Sequence, residues 1–198
     1  GAANYAPLIE AALAVKHVRE RAEEYGVDPN KIFISGFSAG GHLAASCGIL
    51  WNSEPVRDAL GITDGACPEG INRPNGAVLA YPVITGTEYR HKNSFRYLSG
   101  KEDPTEEDRK PFSLELHVDG TTPPVFVWHT FDDQVVPIRN TLLLLDALTA
   151  HNVPFEAHIY PHGSHGLAFA NGETTGESGI DPHVESWARL SVEWIKSI

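Results

Sequence analysis

The feature that most constrains the fold of this chain is a glycine–serine–glycine pattern between a short apolar run and a helix-forming run. Residues 36–40 read Gly-Phe-Ser-Ala-Gly, follow the apolar run 31–34 and precede His-Leu-Ala-Ala-Ser at 42–46. The pattern predicts a strained strand-to-helix turn, since larger residues at Gly36 and Gly40 would collide with neighbouring backbone. The first amides of the helix would point toward the serine oxygen. Ser38 is therefore a candidate nucleophile.

The composition is that of an ordinary globular domain and excludes several classes of function. The 198 residues, of which 41% are hydrophobic and 21% charged, suit one domain, residues 1–198. A net charge of −11 argues against a nucleic-acid partner. No apolar run, the four leucines at 142–145 included, approaches the length needed to cross a membrane, so no membrane partner is expected.

Histidine and cysteine usage indicates neither a metal site nor a cofactor. The ten histidines form no H-E-x-x-H motif, and the two cysteines form no C-x-x-C motif. Cys47 and Cys67 do not make a disulfide framework, which favours a reducing compartment and predicts a cytoplasmic protein.

Apolar strands and amphipathic helices alternate along the chain, which predicts the α/β class. The expected architecture is a mostly parallel sheet with helices on both faces. A polar loop is expected at 52–75, and a surface excursion or small cap at about 83–122. The predicted strands are 31–35, 76–81, 124–128 and 155–160. The predicted helices are 7–25, 39–51, 137–150 and 183–198, the third with Leu142, Leu145 and Leu148 packed inward.

Three loops with reactive side chains follow the carboxyl ends of predicted strands, where parallel sheets bind their ligands. Ser38 follows the first strand, Asp132 and Asp133 the third, and His162 and His165 the fourth. The order serine, aspartate, histidine is that of a nucleophile, an acid and a base acting together. Asp133 is favoured because it lies just before a β-branched pair and a helix start, in the tract DQVVP at 133–137, and Asp132 is the alternative. His165 is favoured because its loop can swing the ring toward Ser38, and His162 is the alternative.

Several tracts then combine into one resemblance. They are GFSAGGHLA at 36–44, YPVI at 81–84, TPP at 122–124, WHT at 128–130 and HGL at 165–167. Together they resemble the carbohydrate-esterase branch of the α/β-hydrolases, whose members include acetyl-xylan-esterase-like proteins and sugar hydrolases. The resemblance runs from about Pro7 to the C-terminal helix. It implies an α/β-hydrolase fold with Ser38 as nucleophile, Asp133 as acid and His165 as base.

The resemblance also implies an activity. A serine hydrolase would cleave carboxylic esters through an acyl-enzyme, with short-acyl esters of carbohydrates as expected substrates and no cofactor. The expected partner is a small-molecule ester such as an acylated sugar, and an oligomer is compatible with the sequence. Substrate contacts are expected from His91 and Phe95 in the excursion and from Gln134 and Val135 beside the acid.

Other readings of the same residues stay open. One is a catalytically impaired hydrolase fold that only binds, and another is a prolyl-oligopeptidase-like peptidase, whose large propeller this chain is too short to hold. A redox or metal role for the histidines and Cys47 is the least favoured.

The sequence accounts for only one of the two expected hydrogen-bond donors to an oxyanion. Ala39 follows the nucleophile and can donate one backbone N–H. Members of the branch carry a His-Gly-Gly-Gly-like loop and several strands before the helix seen here at 7–25, and this chain has neither. A four-stranded sheet would also leave an apolar edge uncovered. We therefore expect the domain to be N-terminally incomplete, with its first strands ahead of Gly1 in the native protein. The second donor would come from that segment, from another chain or from nowhere.

Overall fold

The computed structural model describes residues 5–62, 65 and 70–198, and Cys67 lies outside the described residues. The strands in this part of the chain are β1 (Phe33–Phe37), β2 (Gly76–Ala80), β3 (Val125–Thr130) and β4 (Phe155–Tyr160). The α-helices are α1 (Ala6–Glu20), α2 (Ala22–Tyr25), α3 (Ala39–Ile49), α4 (Glu54–Ala59), α5 (Lys92–Ser99), α6 (Glu106–Arg109), α7 (Arg139–Ala150) and α8 (Pro182–Ser197). Short 3-10 turns lie at Lys110–Phe112, Leu114–Leu116 and Glu177–Gly179.

The described strands form one parallel sheet in the order β1-β2-β3-β4. Its register sets Phe33 beside Gly76, and Val125 between Ala77 and Phe155. Parallel neighbours cannot be joined by a tight turn, so α3, α5 and α7 each lie in a crossover between consecutive strands. The predicted α/β class with a parallel sheet is confirmed.

Helices cover both faces of this sheet. Successive residues of a strand point to opposite faces, so β2 and β3 contribute to two separate core clusters. The cluster on the side of α1, α3 and α7 includes Ala77, Leu79, Val125 and Val127. The cluster on the side of α8 includes Val78, Ala80, Phe126 and Trp128, together with Val184, Trp187 and Trp194. Burial on both faces explains why these strands are apolar in nearly every position.

Two helical segments differ from the sequence prediction. The helix predicted over 7–25 is interrupted at Arg21, whose backbone leaves helical geometry with φ −112° and ψ 23°. The predicted polar loop at 52–75 contains α4, which starts after Ser53 and buries Val56 completely. A single buried side chain gives too little periodicity to mark so short a helix in the sequence.

The orientation of α7 is also corrected. Leu142 was expected to pack inward but is 37% exposed, and Leu145 is only partly buried. Leu144 and Leu148 are fully buried, because residues four apart share one face of a helix. A run of four leucines does not by itself mark which side faces the core.

Residues 83–122 combine a charged exposed stretch with side chains that belong to the core. Helix α6 has no buried residue and begins with a capping box formed by Thr105 and Asp108. Leu114 and Val118, by contrast, join the cluster on the side of α3 and α7. The Leu114 N–H donates to the Ile84 carbonyl over 3.1 Å. A surface excursion describes the charged stretch, whereas the segment after it is part of the domain core.

Candidate active site

Ser38 lies in a strained turn between β1 and α3. Its backbone has φ 53° and ψ −116°, which is rare for a residue with a side chain. The turn is held to β2 and the segment after it, because the Ser38 N–H donates to Ala80 O (3.0 Å) and Ser38 O accepts from the Val83 N–H (3.1 Å). An added Cβ at Gly36 would collide with the Gly40 carbonyl, so the predicted close approach is confirmed at Gly36.

The same expectation is wrong at Gly40. An added Cβ at Gly40 meets no atom within 4 Å, whereas one at Gly41 would lie 2.8 Å from Pro82 Cβ. Gly40 instead lines an open cavity at the start of α3. The position in the helix where only glycine fits is therefore Gly41, one residue later than the sequence pattern indicated.

The loop after β4 brings His165 to Ser38. The distance between His165 Nε2 and Ser38 Oγ is 2.8 Å, and that between His165 Nδ1 and Asp133 Oδ2 is 2.6 Å. A carboxylate only accepts hydrogen bonds, so Nδ1 carries the ring proton and Nε2 is left to accept from the serine hydroxyl. This tautomer is the one in which a histidine can act as a general base toward serine.

The Asp133 carboxylate is buried and accepts several hydrogen bonds. Its Oδ1 accepts from the backbone N–H groups of Val135 (2.8 Å) and Val136 (2.9 Å), and Oδ2 faces His165. Burial alone would raise the pKa of this carboxyl group. The hydrogen bonds from His129, His165 and the two backbone amides outweigh the burial, so that the net pKa lies below its ordinary value.

His129, on β3, supports the turn that carries the acid. Its ring is fully buried, with Nδ1 2.7 Å from Thr141 Oγ1 and Nε2 2.9 Å from the Val136 carbonyl oxygen. Because a carbonyl only accepts, the Nε2–H donates to Val136 and also lies 3.4 Å from Asp133 Oδ2.

The alternative acid and base form a second pair. His162 Nδ1 lies 3.2 Å from Asp132 Oδ2, and Asp132 Oδ1 accepts the Gly163 N–H over 2.8 Å. The side chains of His162 and Asp132 are 84% and 44% exposed. The structure thus brings Ser38, His165 and Asp133 together and leaves Asp132 and His162 outside that chain of contacts.

An apolar cavity of about 430 Å³ opens beside the start of α3. Ala39 is the first residue of that helix, so its N–H has no partner within the helix. This free N–H is compatible with the predicted role of Ala39 as a donor to an oxyanion. Residues from α1, α3 and α5 form the walls, among them Leu8, Leu43, Tyr97 and Leu98.

The predicted substrate contacts fall into different environments. His91 is half-buried ahead of α5, with Nδ1 2.9 Å from Ser94 Oγ. Burial, and then the charge of His165, lower the pKa of His91. Gln134 is exposed and donates to Asp132 O (2.8 Å), and Val135 is also exposed.

Phe95 does not fit the expected role. Its side chain is fully buried in a cluster with Val83, Phe112 and Val136. It also packs edge-on against the His42 ring, with centroids 6.1 Å apart. Phe95 is a core residue of the 83–122 segment, and its prediction as a substrate contact is wrong.

Tyr81 contacts the candidate base, a role that no sequence motif indicated. Its ring centroid lies 4.9 Å from that of His165, and its hydroxyl accepts the Ala168 N–H over 3.1 Å. The available signal was its position: Tyr81 directly follows β2, at the sheet edge that carries the other site residues.

The other candidate chemistries receive no support in residues 5–62, 65 and 70–198. No group of three or more histidine, cysteine or acidic side chains there could hold a metal ion. Burial raises the pKa of the Cys47 thiol to about 12, which leaves it protonated and unreactive. In the same residues, no helix has the length and apolar character needed to cross a membrane.

The chain is similar to known proteins over nearly its whole length. The family model BD-FAE matches residues 5–148. Endo-1,4-beta-xylanase B of Butyrivibrio fibrisolvens is 39% identical, over 92% of this chain and 28% of its own length. Acetylxylan esterase of Xylanibacter ruminicola is 29% identical, over 82% of this chain and 31% of its own length.

A solved structure shares the architecture. The acetyl ester-xyloside bifunctional hydrolase from Caldicellulosiruptor lactoaceticus superposes with a TM-score of 0.80 and 38% identity. The match covers 98% of this chain and 66% of that one. The chain therefore spans less than a third of the two curated relatives and about two thirds of the solved protein.

Proposed function

Because this chain belongs to the BD-FAE family and has the α/β-hydrolase fold, we propose that it is the catalytic part of a serine esterase that hydrolyses carboxylic esters. The observation that carries the proposal is the continuous chain of contacts from Ser38 through His165 to Asp133, at 2.8 Å and 2.6 Å. Such a series of hydrogen bonds activates a serine hydroxyl, whereas an isolated serine is a weak nucleophile at neutral pH.

The reaction proceeds through an acyl-enzyme. His165 Nε2 takes the proton of Ser38 as Oγ attacks the ester carbonyl, and Asp133 stabilises the imidazolium that forms. The Ala39 N–H stabilises the oxyanion, and each such donor is worth about 10²–10³ in rate. His165 then returns the proton to the departing alcohol. Water, deprotonated by His165, hydrolyses the acyl-enzyme and regenerates Ser38.

The engagement of Asp133 favours an ester over a glycosidic bond. A glycosidase needs two carboxyl groups that face the scissile bond. Both oxygens of Asp133 are occupied, one by two backbone amides and the other by His165. This carboxylate is therefore an orienting group for the base and is not free to act on a sugar acetal.

We place short-acyl esters of carbohydrates as the substrate class. Two similar proteins are named acetylxylan esterase and acetyl ester-xyloside bifunctional hydrolase. The cavity beside Ala39 is lined by apolar and aromatic side chains, which suits an acyl group or the face of a sugar ring. His91, directly ahead of α5, supplies a polar group that could bond a sugar hydroxyl.

The substitution Ser38→Ala in the full-length protein tests the mechanism. Hydrolysis of a chromogenic acetate ester should fall by about 10⁶ in kcat, because the nucleophile is removed. Ser164→Ala, on the exposed part of the His165 loop, is the matched control and should stay near the wild-type rate. A fluorophosphonate should label the wild type and Ser164→Ala but not Ser38→Ala. A wild-type protein that resists labelling would instead favour a hydrolase fold that only binds.

Substrate class is tested separately. Acetylated xylo-oligosaccharides, chromogenic acetate and chromogenic butyrate should be compared by kcat/KM. We expect acetyl to exceed butyryl and the sugar ester to have the lowest KM. A preference for long acyl chains, or release of prolyl peptides, would contradict the assignment.

A further inference from the structure

We propose that Tyr81 is a positioning residue for His165: its ring fixes the orientation of the imidazole, and its hydroxyl holds the loop behind it. The inference rests on the proposed function, in which His165 is the base. It adds a residue outside the serine, histidine and aspartate that the sequence pattern indicates.

The ring contact restrains a motion that the hydrogen bonds of His165 leave free. Those bonds run from Nδ1 to Asp133 and from Nε2 to Ser38, at opposite ends of the imidazole. Two roughly collinear bonds still allow the ring to rotate about the line that joins them. The Tyr81 ring meets the imidazole at 4.9 Å between centroids and 70° between planes, within the usual range of an edge-to-face pair.

Tyr81 is itself held firmly enough to act as a support. Its side chain is buried and packs edge-on against Trp128, with centroids 5.0 Å apart and planes at 86°. Its backbone N–H donates to Trp128 O over 2.7 Å. Its φ of 37° is a true outlier for a bulky residue, and such strain persists only where the surroundings impose it. The position of the ring is therefore determined by β3.

The hydroxyl of Tyr81 holds the chain that follows His165. It accepts the N–H of Ala168, three residues after the base, and Ala168 has a positive φ of 48°. Burial raises the pKa of the Tyr81 hydroxyl, so it stays neutral at physiological pH. The Ala168 carbonyl accepts from Trp187 Nε1 over 2.9 Å, so the loop is held from both sides at this residue.

The test compares Tyr81→Leu with Tyr160→Leu in the full-length protein. Tyr160 is the matched control: it is buried in the same cluster, packs edge-on against Trp128 at 6.0 Å and bonds Ser186 through its hydroxyl. Its ring pairs with His183, whereas that of Tyr81 pairs with His165. A misplacement of about 1 Å at a reacting group lowers the rate about 10²-fold. Tyr81→Leu should therefore lower kcat by about 10² with KM unchanged, while Tyr160→Leu stays within about threefold of the wild type.

Two further variants separate the ring from the hydroxyl. Tyr81→Phe keeps the ring and should retain most of kcat, with a loss of about fivefold for one hydrogen bond. Tyr81→Met fills much of the volume without an aromatic ring, and should behave like Tyr81→Leu. Equal losses of kcat in Tyr81→Leu and Tyr160→Leu, or full activity in Tyr81→Met, would overturn the inference.

A spectroscopic readout keeps the inference independent of activity. The low-field proton resonance of the His165 Nδ1–H, identified by its absence in His165→Gln, should be present in the wild type and in Tyr160→Leu. It should be lost or broadened in Tyr81→Leu. If the wild type hydrolyses no ester, the proposed function fails, and this resonance still decides whether Tyr81 orders the imidazole. An unchanged resonance in Tyr81→Leu rejects the positioning role even in an active enzyme.

Discussion

Two histidine–aspartate pairs lie side by side at the carboxyl edge of this sheet, and they use the same two loops. Asp132 and Asp133 are adjacent in the loop after β3, and His162 and His165 are three residues apart in the loop after β4. In the inner pair the Asp133 side chain has no exposed surface and that of His165 is 16% exposed. In the outer pair the side chains are 44% and 84% exposed.

The difference between the pairs is one of environment. The Asp133 carboxylate accepts hydrogen bonds from two backbone amides and two histidine rings. It is buried, and hydrogen bonds to a buried charge are the strongest. The Asp132 carboxylate accepts hydrogen bonds from one backbone amide and one exposed histidine ring. An ion pair in water contributes about 0–1 kcal/mol. The inner pair is therefore suited to catalysis, and the outer pair to a modest restraint on the loop that carries His165.

The largest expected difference between the pairs is at the histidines. His165→Gln should lower kcat by about 10⁶, because it removes the base on which Ser38 depends. His162→Gln should leave kcat within about twofold, because an exposed ring bonded only to Asp132 contributes little. Steady-state hydrolysis of a chromogenic acetate measures both. Comparable losses in the two variants would mean that the second pair takes part in the chemistry.

The aspartates should show the next largest contrast. Asp133→Asn should lower kcat by about 10⁴, because an amide no longer enforces the tautomer in which Nε2 accepts from Ser38. Asp132→Asn keeps an oxygen that can accept the Gly163 N–H and should reduce kcat less than about fivefold. The two variants differ by one position in the chain, so they are matched in size and in location. A reversed ranking would identify Asp132 as the acid.

The order of the elements and the family resemblance were predictable from the sequence. Apolar runs separated by helical periodicity fix a parallel α/β sheet, and the serine turn and the two later loops must then meet at its carboxyl edge. The matches to the BD-FAE family and its relatives confirm the resemblance.

The directions of individual side chains were not predictable. Neighbours such as Asp132 and Asp133 share one sequence context, and only the turn geometry sends one into the core and the other to solvent. Phe95 was misassigned because α5 is a short helix in a mostly polar segment, so that two apolar positions three residues apart, Phe95 and Leu98, were its only sign of a buried face. Tyr81 was overlooked because its contact with His165 joins residues 84 positions apart, through a loop whose path no local pattern determines.

The pairs should also differ in how the protein responds to acid. Hydrogen bonds hold the pKa of Asp133 below that of an unfolded aspartate, about 3.9, despite its burial. Below about pH 4 the unfolded chain takes up a proton that the folded protein does not, so stability falls as the pH drops. The contribution is complete above about pH 5. Asp133→Asn should therefore be less stable than the wild type at pH 7 but lose less free energy of unfolding between pH 5 and pH 3.

Urea titrations at pH 7, pH 5 and pH 3 measure the free energy of unfolding of the wild type and of Asp133→Asn. The same titrations on Asp132→Asn are the control. Asp108, whose pKa is lowered to about 2 by hydrogen bonds from Lys101 and Thr105, titrates in the same range and is common to all three proteins. Its contribution cancels in the comparison. An Asp133→Asn variant as acid-sensitive as the other two would contradict a carboxylate held in its charged form by the fold.

The smallest expected effect is on the motion of the His165 loop when the outer pair is removed. Asp132→Ala deletes the acceptor of the Gly163 N–H, while Thr130 Oγ1 still donates to Gly163 O over 2.9 Å. Losing one exposed hydrogen bond of about 1 kcal/mol should speed amide hydrogen exchange over residues 163–165 by about fivefold. Asp132→Asn retains an acceptor oxygen and should exchange near the wild-type rate. Equal exchange in the two variants would show that Asp132 does not restrain the loop. The position of His165 would then depend on its contacts with Ser38, Asp133 and Tyr81 and on the bond from Thr130 to Gly163.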